Sequence, residues 1–173
     1  MKRLLLLLLT ALMLFSCVGF AEPLPTDEVI LDESGDIAQR GDLEVNYGYD
    51  YSDPDEVALY LHVFIELPFN YLTKAEARDY GWDSRNGNLW DVTDKMSIGG
   101  DVFGNREGLL PNKRGRTWYE CDVNYFGGYR GPERIVFSSD GLIYYSPSHY
   151  QDFELLYDGW YYDDVLYEDY LEK

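Results

Sequence analysis

The chain has 173 residues, 46% of them apolar and 17% aromatic, which is enough for one sizeable core and too short for two full domains. Fourteen Lys and Arg against 32 Asp and Glu give a net charge of −18, which excludes a protein that holds nucleic acid by bulk positive charge. Two cysteines exclude a disulfide-rich scaffold and a four-cysteine zinc site.

Residues 1–21 begin with Lys2 and Arg3, run apolar from Leu4 to Phe15 and reach small residues near Ala21. These are the parts of a secretory signal peptide, so export with cleavage after Ala21 is expected. Leu14-Phe15-Ser16-Cys17 offers an alternative, a lipid anchor on Cys17, without which no stable membrane association is expected. Cleavage removes Cys17 and leaves Cys121 with no intramolecular partner, so Cys121 reads as a small core residue. Residues 22–50 hold nine acids, one base (Arg40), two prolines and three glycines, and read as an acidic pro-segment or linker.

The compact domain is placed at residues 51–157, with 17 acids and 10 bases. Asp53-Pro54 supplies an N-cap and a first-turn proline, and Val57, Leu61, Phe64 and Ile65 follow at helical spacing. His62 lies off that stripe and is expected to be exposed and inert. Thr73-Lys74-Ala75-Glu76 is a capping box opening a second helix that stops before Gly81. Stretches 117–125, 134–139, 142–145 and 153–157 are rich in aromatic and β-branched residues, with turn residues between them, and predict strands. Helices first and strands afterwards predict an α+β fold, N-terminal helices packed on a C-terminal antiparallel β-sheet. Residues 158–173 form a tail with six acids, one base and five aromatics.

Alternation along 118–123 puts Glu120 and Asp122 on one sheet face and Cys121 and Val123 on the other, and Arg134 alternates likewise against Ile135. A carboxylate and an arginine therefore meet on one face, where the plain expectation is a structural ion pair. Between Asp101 and Arg134 stand six bases against five acids, interleaved with glycines. Arginine forks and close backbone approach suit phosphate. Lys74 joins this set from the first turn of the second helix. Glu120 and His149, the latter in a Ser-Pro-Ser-His-Tyr turn, supply a base and an acid for moving protons.

Leu67-Pro68, Tyr71, 73–77 (TKAEA), Gly81-Trp82, Gly87-Asn88-Leu89, 97–108 (SIGGDVFGNREG), 115–118 (GRTW), Glu120, Asp122, Asn124-Tyr125, Arg130, Arg134 and His149-Tyr150-Gln151 stand in order and at even spacing over roughly residues 53–157. In these motifs the chain resembles the barnase-like family of secreted bacterial guanyl-specific ribonucleases. It departs from the family at Gly104 (serine), Tyr119 (a basic residue), Leu109 (lysine) and Gly141 (tryptophan), and by its acidity.

What the resemblance implies is the microbial ribonuclease fold and an extracellular endoribonuclease. It would cut single-stranded RNA after guanosine through a 2′,3′-cyclic phosphate, with no metal and no cofactor. Glu120 would take the proton of the ribose 2′-hydroxyl, kept ionised by nearby arginines, and His149 would protonate the departing 5′-oxygen. Lys74, Arg130 and Arg134 would clamp the phosphate. Guanine would sit on the loop Phe103, Gly104, Asn105, Arg106, Glu107, with backbone N–H groups on O6 and the Glu107 carboxylate on N1–H and N2–H₂. Tyr150 and Phe103 would stack on the base. Partners implied are RNA and a small acidic inhibitor protein covering the basic site, and the expected state is a monomer. Two other readings stand beside this one. One is a ribonuclease toxin with such an inhibitor, and the other is a non-enzymatic secreted binding module using the 17 tyrosines and four tryptophans.

Overall fold

A computed structural model of the protein describes residues 28–161. The export signal, its cleavage site and Cys17 lie outside these residues, as does the tail beyond Tyr161.

Helix α1 (Pro54–Phe64) starts where the sequence places it: the Asp53 carboxylate accepts the N–H groups of Asp55 and Glu56, and Pro54 occupies the first turn. It ends at Ile65, whose backbone is left-handed (φ 60°). Ile65 is exposed and closes the helix instead of extending the apolar stripe. Five successive residues, Val57, Ala58, Leu59, Tyr60 and Leu61, are fully buried. One apolar face cannot account for five in a row; such a helix is covered on two sides. The second cover is the segment read as a pro-segment or linker. Strands β1 (Val29–Leu31), β2 (Ile37–Arg40) and β3 (Leu43–Asn46) form an antiparallel meander on α1. Ala38 and Val45 are fully buried in the α1 core, so residues 29–46 of the stretch read as a pro-segment or linker are folded against the domain.

A six-stranded sheet covers the other side of α1: β4 (Tyr71–Leu72), β5 (Ser97–Phe103), β6 (Trp118–Asp122), β7 (Arg134–Ser138), β8 (Leu142–Ser146) and β9 (Glu154–Asp158), in that spatial order. Four of these match the predicted strands to within a few residues. The fold is α+β, with two corrections. Three strands precede the helices, and the sheet is mixed because β4 runs parallel to β5. Two further helices are short: α2 (Lys74–Asp79), opened by the complete Thr73/Glu76 capping box, and α3 (Leu89–Val92).

The face of the sheet turned to α1, with Cys121, Val123, Ile135 and Ile143, packs on it. Cys121 is a buried free thiol whose pKa burial pushes well up, as expected of a core residue. On β5, Gly99 faces Cys121, and a Cβ there would lie 2.6 Å from the Cβ of Cys121 and 2.6 Å from a Tyr71 ring carbon. Gly99→Ala is therefore expected to overpack this layer and cost about 1–3 kcal/mol. The urea midpoint should fall accordingly, and an unchanged midpoint would show that the layer yields.

His62 is half-buried, not exposed. Its ring stacks on Tyr157 at 4.2 Å between centroids, and Nδ1 lies 2.9 Å from the Gly159 carbonyl oxygen. Burial lowers its pKa against the raising effect of that carbonyl, and the Arg40 charge adds to the lowering. The chain past β9 is thereby fixed on the α1 side: Tyr161 N–H donates to the His62 carbonyl at 2.8 Å, and Gly159 N–H to that of Gly141 at 3.0 Å. Gly141 has φ 94°, and a Cβ on it would lie 2.4 Å from the Trp160 nitrogen. Glycine at 141 is what this close passage requires.

Candidate active site

The face of β6 turned away from α1 carries Trp118, Glu120 and Asp122, which pair with Ser138, Val136 and Arg134 on β7. A bulge in β5 adds a third carboxylate. The extra residue, Gly100 (φ 86°), shifts the register so that Asp101 lies opposite Glu120. Asp101 then accepts the backbone N–H of Lys74 at 2.9 Å and lies 3.9 Å from its Nζ, which aims the first turn of α2 at Glu120.

Glu120 is held between two donors. Lys74 Nζ reaches Oε1 at 2.5 Å, and the Tyr150 hydroxyl donates to Oε2. Burial raises the carboxyl pKa. The bonds from Lys74 and Tyr150 and the charges of Lys74 and Arg130 outweigh it, so the net shift is downward. The sequence reading gave the ionising role to arginines. The direct partners are Lys74 and Tyr150, and Arg130 adds its charge from a distance, because its fork is taken by Asp122 and Arg134 also lies against that carboxylate. Arg130 Nε and Nη2 lie 2.6 Å from the two Asp122 oxygens, and Arg134 Nε is 3.0 Å from Oδ1. Asp122 is 2% exposed at its side chain and Arg134 3%, whereas Arg130 is 21% exposed. Arg134 also donates to Tyr150 Oη at 3.2 Å and to the carbonyls of Gly131 and Glu133. The expected sheet-face ion pair thus exists at Asp122, and it orients both arginines.

His149 and Tyr150 are consecutive left-handed residues (φ 55° and 70°), a backbone that non-glycine residues adopt at a cost. Two bonds hold them: His149 N–H to the Pro132 carbonyl at 3.1 Å, and Tyr150 N–H to Ser146 Oγ at 2.9 Å. The result turns Tyr150 inward onto Glu120 and leaves His149 exposed, its ring 4.7 Å from that of Tyr150. His149 borders a groove of about 490 Å³ with Arg130, Arg134, Tyr129 and Ser84.

The loop after β5 lies on the opposite side of Tyr150. Phe103 packs 4.9 Å from the Tyr150 ring. Asn105 spends its side chain on the loop itself, donating to the Leu110 carbonyl at 2.9 Å and accepting the Leu110 N–H at 3.1 Å. Gly104, Arg106 and Glu107 face solvent, and the Glu107 carboxylate has no partner among the described residues. Contacts thus connect Lys74, Glu120, Arg130, Arg134, His149, Tyr150 and Phe103 through Asp122 and the Tyr150 ring, and Gly104, Asn105, Arg106 and Glu107 follow Phe103 in the loop. Asp101 and Asp122 were not singled out as site residues, and neither was the contact of Tyr150 with Glu120. Among the described residues no three His, Cys, Asp or Glu side chains group as a metal site.

A family model described as ribonuclease matches residues 56–157. The chain belongs to the ribonuclease family. The ribonuclease of Heyndrickxia coagulans is 52% identical over 99 residues, covering 57% of this chain and 91% of that protein. Ribonucleases of Bacillus intermedius and Bacillus pumilus are likewise 52% identical over 99 residues, but the match covers 61% of each, so this chain spans about three-fifths of their length. The family implies RNA as the substrate class. All the site residues fall inside the matched stretch of this ribonuclease, and β1–β3 lie before it.

Proposed function

We propose that this ribonuclease is an exported endonuclease cutting single-stranded RNA after guanosine, by transfer of the phosphate to the 2′-oxygen and without a metal. The observation that carries the proposal is a buried carboxylate, Glu120, kept ionised by Lys74 and Tyr150 beside an exposed His149 on a groove walled by Arg130 and Arg134. Glu120 takes the 2′-hydroxyl proton, O2′ attacks phosphorus, and the P–O5′ bond breaks as His149 gives O5′ a proton. Water then opens the cyclic phosphate with the two roles reversed. Lys74 and Arg130 stabilise charge growing on the phosphate oxygens, the part that a metal plays elsewhere. The open Glu107 carboxylate offers an acceptor pair for guanine N1–H and N2–H₂, which adenine does not match. Export rests on the basic and apolar N-terminus.

The test is product analysis with a guanosine dinucleotide and its adenosine counterpart in excess chelator. The guanosine substrate should be cut in preference, and the 2′,3′-cyclic phosphate should precede the 3′-phosphate. Glu107→Gln, which puts an amide donor against guanine donors, should collapse the preference and leave the fold intact. Activity lost in chelator would overturn the metal-free route, and an unchanged preference would move the base elsewhere.

A further inference from the structure

A ribonuclease has to approach a polyanion, yet this one is itself a polyanion. The described residues carry 25 acids and 11 bases, and the whole chain has a net charge of −18. The site offsets little of this with free positive charge: exposed Arg106, in the loop after β5, forms no ion pair among the described residues, but the three cations around Glu120 and Asp122 are all paired. Lys74, Arg130 and Arg134 each pair with a carboxylate of the site (Glu120, Asp122, Asp101). Outside it, Arg85 pairs with Asp83, and Lys113 and Arg116 with Asp140. The cleft can hold the one phosphate on which it acts, through forks already aimed by Asp122. It offers little net charge to draw in the phosphates on either side.

We propose that charge selects the substrate by length: at low ionic strength the productive substrates are short RNA fragments of few phosphates, and long RNA becomes a good substrate only as salt screens the body of the protein. The inference rests on the function proposed above. Electrostatic steering changes association rates by about 10- to 1,000-fold, and here the net charge makes it repulsive on balance for the phosphates outside the cleft. The range of that repulsion is about 30 Å at 0.01 M salt and about 10 Å at 0.1 M, so it acts over many nucleotides of a long chain and over almost none of a dinucleotide. A nuclease with free basic residues releases counterions on binding and loses affinity as salt rises. Cations already neutralised by protein carboxylates release few.

The experiment measures kcat/KM for a long single-stranded RNA and for a guanosine dinucleotide from about 10 mM to 300 mM sodium chloride. The long substrate should gain roughly threefold or more, and the dinucleotide should change by less than about twofold. A second protein carries Glu28→Lys, Glu33→Lys, Asp42→Lys and Glu44→Lys, all exposed positions on or beside the β1–β3 sheet and away from the cleft. It should cleave long RNA faster at low salt and the dinucleotide at the normal rate. The proposal is overturned if long-RNA cleavage falls or stays level with salt, if both substrates rise together, or if the lysine variant shows no gain. A dinucleotide left uncut at every salt concentration overturns the proposed function itself.

Discussion

Replacing His149 by alanine should slow cleavage of a guanosine dinucleotide by on the order of 10²- to 10⁴-fold, the usual scale for removing a positioned acid. The fold should survive, because the exposed imidazole makes no hydrogen bond among the described residues and the turn is held by backbone groups: His149 N–H on the Pro132 carbonyl and Tyr150 N–H on Ser146 Oγ. Alanine does pay for the left-handed φ of 55°. His149→Asn is therefore the matched variant, since asparagine tolerates that backbone and cannot act as the acid. The role is read from the leaving group. A ribose 5′-alkoxide needs a proton as it departs, whereas a nitrophenolate does not. The loss should be large on the dinucleotide and small on guanosine 3′-nitrophenyl phosphate. Equal losses on both would make His149 a binding residue.

How much of this is legible in the sequence depends on the range of the interactions involved. The caps of α1 and α2 are local hydrogen bonds over two or three residues, and Asp53-Pro54 and Thr73/Glu76 announce them. Period-two alternation sorted Glu120 and Asp122 from Cys121 and Val123 correctly, because β6 is regular. Asp101 stands on β5, which is not among the expected strands because its glycine pair reads as a loop and the bulge at Gly100 breaks the period. The β1–β3 meander is built of strands of three and four residues with one fully buried side chain each at Ala38 and Val45, too short to register as a pattern. The available signal lay in α1, where five consecutive apolar residues exceed one face and call for a second layer. His62 sits off the main stripe for the same reason: a helix between two layers has little outside, and the chain after β9 covers what remains. The contact of Tyr150 with Glu120 spans 30 residues and depends on two left-handed residues in a row, which composition does not foretell.

Glu120 and Asp122 stand on one face of one strand, and their replacement should separate catalysis from structure. Glu120→Ala should reduce turnover by on the order of a hundredfold or more. It should leave a folded protein, since Lys74 is 26% exposed and can turn to Asp101 or water. Asp122→Ala should instead cost several kcal/mol of stability, because it strands Arg134, 3% exposed, and Arg130 without their carboxylate. The pH profile gives the finer test. Although burial alone would raise the Glu120 pKa, the bonds from Lys74 and Tyr150 and the charges of Lys74 and Arg130 bring it below the ordinary glutamate value. The acid limb of kcat/KM should therefore lie below that value, with activity lost as falling pH protonates Glu120. Tyr150→Phe removes one of the two bonds that favour the ionised form, so the acid limb should move to higher pH while the ring that packs on Phe103 is kept. A limb that stays in place in Tyr150→Phe, or turnover near normal in Glu120→Ala, would remove Glu120 from the role of base.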